Sequence, residues 1–411
     1  MEIPSYLLSY YGDWINLLLR WLHMITGIAW IGASFYFVWL DLHIRPPAPD
    51  SALAKQGVAG ELWAVHGGGF YNPQKYLVAP PTLPTELHWF KWEAYSTWLS
   101  GTALLSVVYY LQPQAMLIHP SLNDLSGISA IVLGLGSLAV AWLVYDGLCR
   151  TRLVQKPLLL GVLVYGLLIL ATFGLSHFFS GRATFIHIGA MIGTIMVGNV
   201  FFVIIPGQRK LVDALSARQT PDPQYGIRAK QRSLHNNYFT LPILLIMISN
   251  HYAMTYNHPH GYAVLAALMA AGVLIRHFFN LRHQGRTVWG YPLAGCAILL
   301  GLAIALAPAA PARVAKLDLA KTEAQVHAII QQRCTSCHAG HPSFSGFAAP
   351  PAGIVLESPA QIRQNALKIY QQVVQNRAMP LGNLTQMTEV ERQQVNAWYQ
   401  TLNQNQTAPA K

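Results

Sequence analysis

The chain has 411 residues, of which 53% are hydrophobic and only 10% charged, whereas soluble domains carry roughly 25% charged residues. That deficit excludes an ordinary soluble globular protein and implies a lipid bilayer as solvent. A net charge of +11 would suit nucleic-acid binding in a soluble chain. Here the basic residues stand between apolar segments and read as topology signals, so no nucleic-acid partner is expected.

A membrane-spanning helix needs about 20 apolar residues, and eight segments qualify approximately: Trp14–Leu40, Tyr95–Leu111, Ile128–Tyr145, Pro157–Leu175, Thr184–Ile205, Tyr238–Tyr256, Tyr262–Phe279 and Tyr291–Ala307. The stretch before the first has no basic leader and no small-residue cleavage site, so that segment is expected to be retained. Trp14, Tyr109, Tyr110, Tyr145, Tyr256, Tyr262 and Tyr291 sit at segment ends, as interfacial anchors do. The fold class expected is all-α: an eight-helix transmembrane bundle over 1–308, a Pro/Ala linker over 309–318, and a small, more polar domain over 319–411.

Lys and Arg set the orientation. The odd loops hold Arg45, Lys55, Lys75 and Lys91, then Arg150, Arg152 and Lys156, then Arg209 to Arg232, then Arg282 and Arg286. The even loops hold only Arg182. The odd loops are therefore expected in the cytoplasm, with both ends of the chain outside.

The first loop is about fifty residues long and contains "ELWAVHGGGFYNPQKY". Gly67, Gly68 and Gly69 after His66 either let the backbone approach a ligand or form a flexible turn; Tyr71 stands beside them. Loop five ends in "RSLHNNYFTLP", placing His235, Asn236 and Asn237 at the mouth of the sixth span, where they could read the polar edge of a heterocycle. His66 and His235 are the candidate general bases.

Ionisable residues inside a membrane are functional candidates. Under the topology above, His23, His177, His187 and His251 fall in the outer part of the bilayer, and His277 on the cytoplasmic side. Four imidazoles at similar depth suggest a membrane haem b. His23 and His187 are the first pair, with His177 and His251 as a second pair or alternative partners. The bland reading is that all are polar bundle residues. Arg20, on the face of His23, pairs with a haem propionate or snorkels to the surface.

Four cysteines give no disulfide framework: Cys149 and Cys296 stand alone, and Cys334 and Cys337 fall in "QQRCTSCHAGH". Cys-x-x-Cys-His is the attachment signal of a c-type haem. Cys334 and Cys337 would carry the thioethers and His338 would bind the iron. The second axial ligand is expected to be Met379 in "NRAMPLGN", held by Pro380, and not Met387, read as a core filler. The tail thus reads as a small class I-like cytochrome c domain. Such haem is attached outside the cytoplasm, on the side to which the charge bias assigns the tail.

The stretches "RWLHMITGIAWIGASFYFVWLDLH", "GELWAVHGGGFY", "LHWFKWEAYSTW", "HNNYFTLPILLIMISNHY" and "CTSCHAGHPSFSGFAAPPAGI…AMPLGNLTQMT" resemble the bacterial membrane-bound urate hydroxylases (urate oxidases) with a C-terminal cytochrome c. The resemblance covers nearly the whole chain. It implies oxidation of urate to 5-hydroxyisourate at the bacterial inner membrane, with a periplasmic cytochrome domain. Electrons would leave through one covalent haem c, and a haem b, to a periplasmic cytochrome or terminal oxidase, with no peroxide formed. Two other classes remain open: a membrane-anchored electron carrier or quinol dehydrogenase, and a protoporphyrinogen-type oxidase fused to a cytochrome, whose first helix "LHMITGIAWIGASFYF" resembles and whose helix-one histidine binds haem.

Overall fold

A computed structural model describes residues 5–76, 79–119, 122, 124–307, 319–344, 347 and 349–407. The linker expected at 309–318 lies outside the described residues.

Helix α1 runs Ser5–His43. It is followed by strands β1 (Val58–Glu61), β2 (Ala64–His66), β3 (Gly69–Tyr71) and β4 (Gln74–Tyr76). The bundle continues with α2 (Trp92–Leu105), α3 (Gly127–Cys149), α4 (Pro157–Ser176), α5 (Gly181–Gly198), α6 (Ile205–Ser216), α7 (Pro223–Ser249), α8 (Gly261–His283) and α9 (Gly290–Ala305). Two π-turns interrupt it, Ser106–Tyr110 after α2 and Asn199–Ile204 between α5 and α6. Each expected span falls on helical structure. Five helical stretches are long and apolar enough to cross a membrane: Tyr10–His43, Gly127–Cys149, Pro157–Ser176, Gly181–Ser216 and Gly261–His283. The chain is thus mostly helical, with the several long apolar helices that a multi-pass membrane protein has. The other three expected spans depart for physical reasons. Helix α2 and its π-turn are short, α7 begins in a polar stretch and stops at Ser249 before a break, and α9 has only 16 residues.

Helix α5 is the axis of the bundle. From Ala183 to Gly198 all but three residues are buried, the signature of a helix with neighbours all round. Its core partners are Leu105, Tyr109, Leu138, Leu160, Leu168, Ile246 and Leu265. By contrast Val132, Leu143, Leu158 and Leu170 on α3 and α4 face outward, as lipid-facing side chains do.

The all-α expectation misses one element. Strand β1 pairs antiparallel with β4, and β2 with β3. Gly67 and Gly68 are the two turn residues of the β2–β3 hairpin, with φ of 58° and 80°, as a primed two-residue turn requires.

The tail is a separate helical unit: α10 (Leu319–Arg333), α11 (Pro359–Gln364), α12 (Ala366–Tyr370) and α13 (Glu389–Thr407). Val326, Ile330, Leu356, Ile369, Val395 and Trp398 form its core. Helix α13 opens with the capping box legible in Thr388-x-x-Glu391. Thr388 N–H donates to Glu391 Oε2 at 2.6 Å, and Glu391 N–H to Thr388 Oγ1 at 3.2 Å. Arg333 also pairs with Glu391 at 3.0 Å. Burial raises the Glu391 carboxyl, but the bonds from Thr388 and Arg333 outweigh it and hold it below its usual value of 4.5. The folded value is the lower one, so its stabilisation is complete above the unfolded value and is lost as pH falls through the folded one. Glu391→Gln is therefore expected to lower the melting temperature of the purified protein at neutral pH and to match wild type only in acid, once pH falls below the folded value. A gap that stays constant with pH would contradict this role.

Candidate functional site

Helix α7 presents consecutive asparagines, and a helix turns about 100° per residue, so they serve different neighbours. Asn236 joins a cluster that begins at Asp146 near the end of α3. Arg232 donates to Asp146 Oδ1 at 2.6 Å and to Asn199 Oδ1 at 3.1 Å. Asn199 donates to Asn236 Oδ1 at 2.8 Å and to the Tyr145 hydroxyl at 3.1 Å. The Tyr145 hydroxyl meets His235 Nδ1 at 2.7 Å. Arg150 closes the cluster on Asp146 Oδ2 at 2.6 Å. The π-turn that starts at Asn199 gives that side chain its place between Arg232 and Asn236. Every polar atom named here has a partner, so the cluster is a strut, buried at Arg232, Asn199 and Asn236 and open to solvent at Arg150.

Asn237 belongs to a second cluster. Arg276 Nε and Asn280 Nδ2, both from α8, donate to Asn237 Oδ1 at 2.9 Å each. The Arg276 guanidinium lies 4.1 Å from the centroid of the Phe35 ring of α1. Tyr238 and His277 bond beside it at 2.7 Å. Here the bonding is incomplete: Asn237 Nδ2, Arg276 Nη2 and Asn280 Oδ1 are buried without a hydrogen-bond partner.

His66 and Tyr71 stand exposed on the hairpin. Gly67 and Gly68 are accounted for by its turn, and no described contact joins the hairpin to either cluster.

The four outer histidines do not share one pocket. His23 Nδ1 donates to the Thr97 carbonyl of α2 at 3.0 Å, which leaves Nε2 as the bare nitrogen. That is the arrangement of a metal-binding imidazole oriented by its other nitrogen. His187 is fully buried with both nitrogens engaged, Nδ1 on the Ala183 carbonyl at 2.8 Å and Nε2 on the Tyr110 hydroxyl at 3.0 Å. A Cβ on Gly134 would stand 2.9 Å from that Nε2. As packed, His187 leaves no nitrogen and no room for an iron, so a haem b ligated by it does not fit. His177 is exposed on the Phe173 carbonyl, and His251 lines the cleft between bundle and tail. Arg20 donates to Asn16 Oδ1 at 2.7 Å.

In the tail, Cys334, Cys337, His338 and Met379 line one almost wholly apolar cleft with Phe344 and Phe347. His338 Nδ1 donates to the Ile354 carbonyl at 3.0 Å, which leaves Nε2 as the bare nitrogen. Arg392 donates to the Met379 carbonyl at 2.8 Å and fixes that loop. Burial pushes the Cys334 thiol up to about 12. Met387 is buried in the tail core instead. Two thiols, an oriented imidazole, a thioether and apolar walls are the donor set and surroundings that a covalent c-type haem requires. The tail also docks on the bundle. Asn257 donates to the Asn376 carbonyl at 2.9 Å. Gly382, at φ 55°, sits where a Cβ would come 2.6 Å from the Ala115 carbonyl. Between tail and bundle lies a cleft of about 800 Å³, and Met379, Pro380 and Leu381 line both it and the cysteine cleft.

Sequence reasoning missed Asp146, Asn199, Arg276 and Asn280. The signal is present: Arg276 is a charge inside an apolar stretch and Asp146 one directly beside another, as legible as the histidines there.

These features define a mostly helical chain whose long apolar helices suit a multi-pass membrane protein, with buried polar clusters at one end of its bundle and a small helical tail docked at the other. The family model described as urate oxidase N-terminal matches residues 9–307, and the chain belongs to that family. Comparison with curated proteins and with solved structures returned no match.

Proposed function

We propose that this protein oxidises urate to 5-hydroxyisourate and passes the electrons outward through a haem c held by its tail. Membership of the urate oxidase N-terminal family over 9–307 supports an oxidoreductase acting on urate. The observation that carries the electron route is the Met379–Leu381 loop. It walls both the cleft of Cys334, Cys337 and His338 and the cleft against the bundle, so an acceptor in the tail stands against the membrane part.

Urate gives up two electrons and two protons, and water adds at the oxidised ring carbon. Bound haem c supplies one-electron acceptance at a raised potential when methionine is its second ligand. Cys334 and Cys337 would carry its thioethers, with His338 and Met379 on the iron. His338 is oriented by Ile354, and Met379 by Arg392. A periplasmic cytochrome or terminal oxidase would be the final acceptor. Along α8 the polar clusters and the tail cleft, at Arg276 and Gly261, are 15 residues apart, about 22 Å of rise. A route of that length calls for a further redox group in the bundle, and His23, half-buried between α1 and α2 with a bare Nε2, is a candidate to hold one. Placement in an inner membrane with the tail in the periplasm follows the charge bias of the loops and the side on which c-type haem is attached.

Turnover in oxygen-18 water with a ferric cytochrome acceptor tests this reading. The new hydroxyl should carry the label, and hydrogen peroxide should not accumulate. One peroxide per urate would overturn it.

A further inference from the structure

Arg276 is an arginine inside a membrane bundle, 5% exposed, and among the described residues it has no carboxylate in an ion pair. A buried charge without a partner is costly, and fully buried arginines are nearly always paired. The contrast lies a helix away, where Arg232 meets Asp146 at 2.6 Å. The neighbourhood of Arg276 repeats the deficit. Asn237 Oδ1 already accepts from Arg276 Nε and Asn280 Nδ2, which fixes both amide orientations. What remains is two unmatched donors, Arg276 Nη2 and Asn237 Nδ2, and one unmatched acceptor, Asn280 Oδ1, all buried. Phe35 covers the guanidinium at 4.1 Å and is itself partly exposed, so it is the side chain that would move to admit a ligand.

We infer that Arg276, Asn237 and Asn280 form the recognition site for a planar heterocyclic anion that presents C=O and N–H groups along one edge. The two donors would take a carbonyl oxygen and a deprotonated ring nitrogen, and the Asn280 carbonyl would take a ring N–H. The guanidinium would supply the countercharge that the protein withholds. Naming that anion as urate rests on the proposed function. No mobile carboxylate of the chain meets Arg276 among the described residues, so the charge stays available to a ligand.

The test separates recognition from structure by sign. Asn237→Asp keeps the oxygen that accepts from Arg276 and Asn280, neutralises the guanidinium and replaces the free donor with a negative oxygen. Arg276→Gln removes the unpaired charge. Each variant should melt at or above the wild-type temperature, whereas a merely structural arginine would leave both less stable. Each should also lose the rise in melting temperature that urate gives the purified wild-type protein, since a ligand stabilises only the state it binds. In steady state the urate KM should rise about tenfold or more, as loss of a charged hydrogen bond predicts. An unchanged urate-induced shift in Asn237→Asp, or no shift in wild type, overturns the inference. A wild-type protein that is stabilised by urate through Arg276 but never oxidises it upholds the site and overturns the proposed function instead.

Discussion

Truncating Asp146 to alanine is expected to destabilise the membrane domain by about 3–5 kcal/mol. The carboxylate takes Arg232 on one oxygen and Arg150 on the other, each at 2.6 Å. Arg232 is 4% exposed and cannot turn to water when its partner goes. Its guanidinium would remain on Asn199 and over the Tyr145 ring, 5.0 Å from the centroid, with its charge uncompensated. Replacing the pair together is a different matter. Asp146→Ala with Arg232→Met removes both charges, and most of the loss should be recovered, because the desolvation cost of a buried pair cancels much of its attraction. Urea or thermal unfolding in detergent reads both. A single substitution costing less than about 1 kcal/mol would mean that water reaches Arg232, and the cluster would not be a buried strut.

The second large effect is at the tail. Replacing Cys334 and Cys337 with alanine is expected to abolish covalent haem and sustained urate turnover, while the bundle still inserts. Val326, Ile330, Val395 and Trp398 form the buried centre of the tail core, and Cys334 packs only at its edge. The two methionines then divide the labour. Met379, in the cleft, should change the haem spectrum and lower its potential on substitution by alanine. Met387, 4% exposed in the core, should leave the spectrum alone and cost about 2–5 kcal/mol of stability. Reversed spectra, with Met387→Ala changing the haem and Met379→Ala silent, would exchange their roles.

What was legible in the chain follows from what is local. Apolar length located the helices, and Thr388-x-x-Glu391 located the start of α13 to the residue, because a cap is a contact within one turn. The spacing of Cys334, Cys337 and His338 put them on one cleft for the same reason. The glycine triplet was legible as backbone freedom but not as a hairpin, since that depends on β3 returning against β2. Pairings between helices were not legible. Arg232 and Asp146 are 86 residues apart, and His187 and Tyr110 are 77 apart. Charge bias could place His187 at a depth in the membrane, yet depth does not say which neighbour takes its nitrogens. Arg276 is legible as a charge in an apolar stretch but not as an unpaired one, since its partner Asn237 lies 39 residues away on another helix.

The proposed function requires that electrons from urate arrive in the tail. Purified protein with its haem c oxidised should be mixed with urate under strict exclusion of oxygen, and the haem c absorption followed in time. Haem c should be reduced, and with an excess of ferric cytochrome acceptor two equivalents of acceptor should be reduced per urate consumed, with neither change in the Cys334→Ala, Cys337→Ala protein. Urate consumption that requires oxygen and leaves haem c ferric would contradict it.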